Sequence, residues 1–331
     1  MNLKKNYFNL INGLETLLIP SYSKGKVYET ETLDNFIDLY NFDREFSEKV
    51  LSIISEFEVT LRSSVSYHFT RENCADTENT MQYTNKNKYN DIRTELNREY
   101  PFFYHQNGRI VKTFDDFSLF KDNFLENLIY KNTFIKENSF TMEADYKAPT
   151  GCNAYKKIAV PLWVVIQTFQ LGTLKIMCHY LKPNVINPVL NDFNLTSQDR
   201  DMFLNSLDII LEIRNCCAHF SLLNRFRTSE KTAINAKLIN ELNLSPINQS
   251  RRVTIRSRKK VTTPPNTLKL FDSLKVLGLY QDLTPLKKPL KKIIYRNNKH
   301  FKRSSYDLNY RLLERMGESS YAEWKKVLTK N

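Results

Sequence analysis

The stretch Asp43-Arg-Glu-Phe-Ser-Glu-Lys-Val-Leu-Ser-Ile-Ile-Ser-Glu-Phe-Glu-Val-Thr-Leu-Arg-Ser-Ser-Val65 decides the class of fold. Phe46, Val50, Ile53, Ile54, Phe57, Leu61 and Val65 recur at intervals of three and four, the repeat of one helix face. The pattern predicts a long helix from Asp43 to Thr70. On it Glu58 and Arg62 stand four apart with the acid first, the favourable order for a helical ion pair.

Helical spacing recurs outward from this stretch. It covers Asn6 to Ile19, Phe114 to Tyr130, and an apolar segment opened by Pro161 and running to about Leu181. Proline suits a first turn, where its missing N–H needs no partner. Pro183 and Pro188 read as punctuation at that helix's end. A further helix is expected from Gln198 to Phe220, capped by Thr196 or Ser197 with Asp199 in the first turn. Phe203, Leu207 and Ile210 form its apolar stripe, widened by Leu204 and Leu211. Residues Arg71 to Tyr100 turn polar and read as a loop or insertion, and the segment around Pro149, Gly151 and Asn153 as a break. Ser250 to Pro265 reads as a loop or short hairpin, and about the last 60 residues as helical and basic. The expected architecture is all-α: a helical domain over residues 1–250 with a polar insertion near 72–110, then a basic, mostly helical extension over 251–331.

Composition excludes several classes. The chain has 331 residues, 41% of them apolar and 26% charged, enough to bury a real core. Only seven glycines occur, which argues against glycine-rich phosphate loops and the Rossmann or P-loop enzymes that need them. The five cysteines (Cys74, Cys152, Cys178, Cys216 and Cys217) form no C-x-x-C pair. Neither a disulfide framework nor a cysteine metal site is expected, and a reducing cytoplasm fits best. No signal-peptide pattern opens the chain and no apolar run is long enough to span a bilayer.

The formal charge of +13 is unevenly placed. From Arg251 onward there are 21 Lys/Arg against six Asp/Glu, so the excess lies wholly in that segment. Such asymmetry points to a polyanion partner, or else to a solvated basic surface. Arg251, Arg252, Arg256, Arg258, Lys259 and Lys260 crowd one loop. Further on, Lys291, Lys292, Tyr295, Arg296, Lys302 and Arg303 mix cations with aromatic rings, as do Tyr306, Tyr310 and Arg311. Cations can track phosphates while rings stack on unpaired bases; the alternative is an amphipathic helix whose rings are core.

Three places show Arg followed by His after four to six residues: Arg62 to His68, Arg98 to His105, and Arg214 to His219. The spacing alone is cheap, so context must separate them. Pro101 interrupts the second pair, and Glu58 offers Arg62 a solvated ion pair. The third differs. Ile210 and Arg214 are four apart, as are Asn215 and His219, so Arg, Asn and His gather at the end of an apolar helix. From chemistry alone this reads equally well as a structural Arg/Asn network or as a site. Trp163 reads as core packing, Cys216 and Cys217 as small buried fillers. His179, near a helix end, has no ligand set around it.

The segment Leu211-Glu-Ile-Arg-Asn-Cys-Cys-Ala-His-Phe-Ser-Leu-Leu-Asn-Arg225 resembles the Abi-like (abortive infection, AbiD/AbiF) family of the HEPN superfamily. That family shows Arg-Asn, a small pair, Ala-His, then Asn-Arg. Val160-Pro-Leu-Trp-Val-Val-Ile-Gln-Thr-Phe-Gln-Leu-Gly-Thr-Leu174 resembles its Pro-x-Trp helix, with Gln167 where glutamate is common and Leu171 before Gly172. Phe42-Asp-Arg-Glu-Phe46 with Glu56-Phe-Glu-Val-Thr-Leu-Arg-Ser63 resembles its first long helix. The likeness covers about residues 5–227; the stretch 72–150 and the chain after Gly278 match little.

The resemblance implies a metal-independent, cofactor-free endoribonuclease. His219 would serve as general acid or base, Arg214 would hold the scissile phosphate, and Asn215 would orient the histidine or the phosphate. Arg225 would join the RNA contacts. It also implies a composite site, formed where the motifs of two copies face each other in a homodimer, and control by a small structured RNA. Competing readings are a non-catalytic RNA-binding regulator, a HEPN toxin controlled by a nucleotidyltransferase, and, more weakly, a DNA-binding factor. The expected setting is the bacterial cytoplasm.

Overall fold

The computed structural model describes residues 7–19, 27–28, 30–90, 105–106, 109–110, 117–121, 123–141, 158–229, 232, 234–248, 266–302 and 306–329. Among them the fold is all-α, as expected. In chain order the helices are α1 (Tyr7–Leu10), α2 (Glu15–Leu18), α3 (Leu33–Asn73), α4 (Phe124–Lys131), α5 (Thr133–Glu137), α6 (Leu162–Val165), α7 (Leu171–Tyr180) and α8 (Pro183–Asp192). They continue with α9 (Arg200–Ala218), α10 (Ala236–Leu242), α11 (Leu270–Gly278), α12 (Lys287–Phe301), α13 (Leu308–Met316) and α14 (Tyr321–Val327). Extended structure among the described residues is limited to three antiparallel pairs of two-residue strands and isolated bridges.

Two compact units are formed, one from residues 1–57 with 208–331, the other from residues 58–207. Residue 250 lies inside the first. Its core is built from Phe36, Leu39, Phe42, Phe46, Val50, Ile53, Ile54 and Phe57 of α3, all buried at the predicted spacing. Ile209, Ile210 and Ile213 of α9, Leu274 and Leu277 of α11, and Leu312 and Met316 of α13 join them. Trp324 of α14 is fully buried against Phe271, and its indole N–H donates to the Glu318 carbonyl at 2.7 Å. A ring of that size with its one donor satisfied stabilises a core strongly. Helix α3 begins ten residues before the expected start, because Phe36 and Leu39 extend its buried face.

The C-terminal segment is woven into this unit by its cations. Arg311 donates to the carbonyls of Leu17 and Ile19 at 3.0 and 2.9 Å, satisfying acceptors that the end of α2 leaves open. Arg315 donates to the Gly13 carbonyl at 3.2 Å. Gly13 itself is required by close approach: a Cβ there would meet the Asn9 carbonyl oxygen at 2.7 Å, besides crowding the Leu222 side chain. Strand Ile247–Asn248 pairs with Asn266–Thr267, so the ends of the expected hairpin are joined. Arg251, Arg252, Arg256, Arg258, Lys259 and Lys260 between them, and Arg303 further on, lie outside the described residues.

In the second unit several expectations are sharpened or corrected. Residues 71–100 read as a polar loop or insertion with few apolar anchors, and of those described Met81, Tyr83 and Tyr89 are buried. The Tyr83 hydroxyl donates to the Val160 carbonyl at 2.9 Å and the Tyr89 hydroxyl to the Tyr83 carbonyl at 2.6 Å. Three anchors among many polar residues suffice to seat the segment. The helix expected from Pro161 to Leu181 breaks at Phe169 and Gln170. The Phe169 carbonyl accepts from Arg62 Nη2 at 2.8 Å, and Arg62 also pairs with Glu58 at 2.9 Å as its spacing predicted. Pro183 and Pro188 do not close a helix; Pro183 opens α8 and Pro188 sits within it. Trp163, read as core or helix packing, does not lie in the core: it is 53% exposed, because Leu162, Val164 and Val165 take the buried face of the short α6.

Candidate active site at the end of helix α9

Helix α9 begins as its sequence predicts. The Thr196 N–H donates to Asp199 Oδ2 at 2.7 Å, tying down the first turn. Its far end positions the candidate site. The Ser221 N–H donates to the Cys216 carbonyl at 3.1 Å and the Phe220 N–H to the Cys217 carbonyl at 3.2 Å. This is the paired closure that needs a left-handed residue just past the helix, a place glycine usually fills. Here Phe220 fills it, at φ 55°. An L side chain in that region costs roughly 1–2 kcal/mol, so other bonds must hold it. One of them is the bond from Asn9 Nδ2 to the Phe220 carbonyl at 3.0 Å.

Beyond Phe220 the chain is fastened by Asp43, whose side chain is 1% exposed. Its carboxylate accepts from the Leu223 N–H at 3.0 Å, the Asn224 N–H at 2.7 Å and Asn224 Nδ2 at 2.7 Å. Arg44 Nη2 donates both to Asp43 Oδ2 at 2.8 Å and to the Ser221 carbonyl at 2.6 Å. The two sequence blocks Phe42-Asp-Arg-Glu and Asn224-Arg225, 181 residues apart at Asp43 and Asn224, thus meet in one network. Asn224 is the buried anchor, and Arg225 beside it is exposed.

The result is an open cleft of about 610 Å³ whose lining includes Asn215, His219, Phe220, Arg225, Arg227 and Glu212. Asn215 and His219 line it, whereas Arg214, one residue before Asn215 on α9, is not among its lining residues. Arg214 Nη1 donates to Asn215 Oδ1 at 3.3 Å. The His219 side chain is exposed and makes no hydrogen bond among the described residues. Arg225 and Arg227 are exposed and make no ion pair among the described residues. Glu212 on the cleft wall is engaged by the Ser229 N–H at 2.5 Å and by the Thr232 hydroxyl. The arrangement can hold an anion on guanidinium groups beside an imidazole that is open to solvent.

Arg227, Phe220 and the Asp43–Arg44 fastening were not singled out in the sequence for these roles. Arg227 carried a signal, since it stands two residues beyond Arg225 on the same short loop. Arg227 also faces Lys269, whose ammonium is held below its ordinary value by burial first and by the Arg227 charge second.

Cys216 lines the cleft, but burial pushes its thiol up to about 12, with the neighbouring Cys217 adding to the shift. The thiolate is the reactive form, so this shift argues against Cys216 as a nucleophile at neutral pH. Below pH 9, iodoacetamide is expected to label Cys216 in the folded protein far more slowly than in the urea-unfolded chain, because burial keeps the thiol protonated. Mass spectrometry of the Cys216 peptide over time reads this directly; labelling at similar rates contradicts it. No group of three or more His, Cys, Asp and Glu able to hold a metal ion occurs among the described residues. No helix among them is long and apolar enough to cross a membrane.

The candidate RNA contacts of the tail lie apart from the cleft lining. Lys291, Lys292, Tyr295, Arg296 and Lys302 are exposed on α12 or at its end. Two are already paired: Lys292 Nζ with Glu45 at 3.0 Å and Arg296 Nη1 with Asp38 at 2.6 Å. Both pairs are about half exposed, and such pairs contribute roughly 0.2–1 kcal/mol. Lys292→Ala and Arg296→Ala are each expected to lower stability by about 1 kcal/mol or less in urea titrations. A loss of several kcal/mol would mark them as structural residues that RNA cannot borrow.

Comparison with known proteins agrees with the residue blocks. No curated protein and no solved structure matches the chain. Residues 3–224 match the protein family described as Abi-like protein, a span that takes in α1 to α9, the Asp43 fastening and the Arg214–His219 helix end. The chain belongs to the Abi-like protein family.

Proposed function

We propose that this protein is a metal-independent endoribonuclease of the HEPN type, acting in phage defence by abortive infection, with Arg214, Asn215 and His219 at the reacting phosphate. The observation that supports this most is the cleft itself. An exposed imidazole and two exposed arginines, Arg225 and Arg227, line one pocket, with Arg214 and Asn215 on the helix that forms its wall.

RNA carries its own nucleophile, the 2′-hydroxyl. Cleavage needs a base to take that proton, an acid to protonate the departing 5′-oxygen, and cations to stabilise the charge building on the phosphate. Imidazole can serve in either proton role near neutral pH. A guanidinium presents paired N–H donors that fit two phosphate oxygens. Asn215, held by Arg214, offers its amide N–H groups to the phosphate or the base. One chain supplies one imidazole to the cleft, whereas the two proton transfers use two groups. A homodimer that brings two α9 ends together provides both. The cations of α12, and the six basic residues between 251 and 260 in the sequence, are further candidates for contact with substrate RNA and with a small structured RNA that restrains the enzyme in the cytoplasm.

Light scattering combined with an RNase assay tests the composite site. Activity is expected to follow the dimer, and a fully active monomer would overturn that part of the proposal.

A further inference from the structure

We infer that Phe220 is a stacking platform for an unpaired base next to the phosphate held at His219. Its ring is 70% exposed while lining the cleft. A large aromatic ring left in water loses the burial that usually justifies it. At Phe220 the backbone is also in the left-handed region, where phenylalanine is strained and glycine or asparagine is the ordinary choice. The other non-glycine residues with positive φ among the described residues, Asn194 and Asn243, are both asparagine. The backbone at this position therefore does not favour a phenylalanine, and strain of this kind is typical of positions held for a task.

The position is held firmly. Two closing bonds of α9 lock the backbone, and Asn9 Nδ2 binds the Phe220 carbonyl. Arg44 lies 5.9 Å from the ring centre, and Arg44 is itself tied to Asp43 and the Ser221 carbonyl. The ring thus stands next to His219 in the sequence, shares its cleft, and has the exposed guanidinium groups of Arg225 and Arg227 in the same lining. A single-stranded nucleotide has the matching parts: a flat base for the ring and a phosphate for the arginines. Duplex RNA, whose bases are already stacked, lacks the first.

This inference rests on the RNA-cleaving reading, but its test can be separated from it. Binding is measured with a fluorescein-labelled 2′-O-methyl single-stranded RNA, which has no free 2′-hydroxyl to attack. Phe220→Ala is expected to bind roughly tenfold more weakly, the lower part of the range for losing one stacked base. Phe220→Trp is expected to bind as tightly as wild type, and Phe220→Leu to resemble alanine. Wild-type affinity in Phe220→Ala overturns the inference, as does full rescue by leucine. A weakened Phe220→Ala protein that has also lost its dimer in light scattering overturns it too, since the ring is then an interface residue. Melting curves of each variant confirm folding. If instead His219→Ala cleaves RNA like wild type while the Phe220 series behaves as expected, the cleavage reading fails and the stacking site stands as part of an RNA-binding surface.

Discussion

Asp43→Ala is expected to cost about 3–5 kcal/mol of stability, the range for removing one partner from a buried, multiply bonded charge. The carboxylate accepts two backbone N–H bonds and one side-chain amide, and it neutralises Arg44. Alanine leaves the buried donors of Leu223 and Asn224 with no acceptor and a cation with no counter-charge. Each stranded donor costs about 1–3 kcal/mol when water cannot reach it. Asp43→Asn keeps the volume and one acceptor oxygen, so a smaller loss is expected. Urea titration with far-ultraviolet circular dichroism measures both. A change under 1 kcal/mol for alanine would mean that water replaces the carboxylate and that the fastening is not structural. The consequence for the site follows from the same contacts. Residues 221–225 carry Arg225 past the end of α9, and Asp43 fixes their course, so RNA cleavage is expected to fall in Asp43→Asn even where the protein stays folded.

The second large effect concerns chemistry. Arg214→Ala is expected to lower the rate of RNA cleavage by about 100–1000-fold, the usual consequence of removing one preorganised donor to developing oxyanion charge. Stability is expected to change little by comparison. Arg214 is only partly buried, unlike Asp43. Arg214→Lys separates charge from shape. An ammonium keeps the positive charge but lacks the planar fork, so recovery is expected to be slight. Full activity in Arg214→Lys would reduce the role of Arg214 to that of a point charge. Single-turnover kinetics on a defined single-stranded RNA distinguish a lost rate from lost binding.

Much of this was readable before the structure. The repeat of Phe46, Val50, Ile53, Phe57 and Leu61 announced a long helix because burial on one face requires that spacing. Its earlier start was hidden because Asp34, Asn35 and Asp38 dilute the signal around Phe36 and Leu39. The stripe on α9 and its Thr196 start were equally plain, since caps act through neighbours in sequence. What failed were features decided across long sequence separations. Nothing local at Phe169 and Gln170 demands a break; the Arg62 guanidinium, 107 residues away, accommodates the freed carbonyl. Met81, Tyr83 and Tyr89 were outnumbered by polar neighbours, though three anchors are enough. Trp163 was assigned by residue type, and a four-residue helix has a face to spare.

The site shows the same division. Arg214, Asn215 and His219 were legible as a group because helical geometry fixes residues one and four apart. Their separation from two rival Arg–His spacings came from the surrounding blocks rather than from the spacing. The reason for the Asn224-Arg225 block could not be read from sequence, since it depends on Asp43 at the other end of the unit's chain. Nor could the strained backbone at Phe220, because a phenylalanine gives no sequence signal for a left-handed turn.

The most direct measurement is cleavage of one labelled single-stranded RNA, in excess EDTA, by wild-type and His219→Ala proteins purified identically and matched in melting temperature. The expected result is cutting by the wild type, undiminished by the chelator, and none above background by His219→Ala. Equal cutting by the two proteins, or cutting that EDTA abolishes, contradicts a metal-independent site at His219.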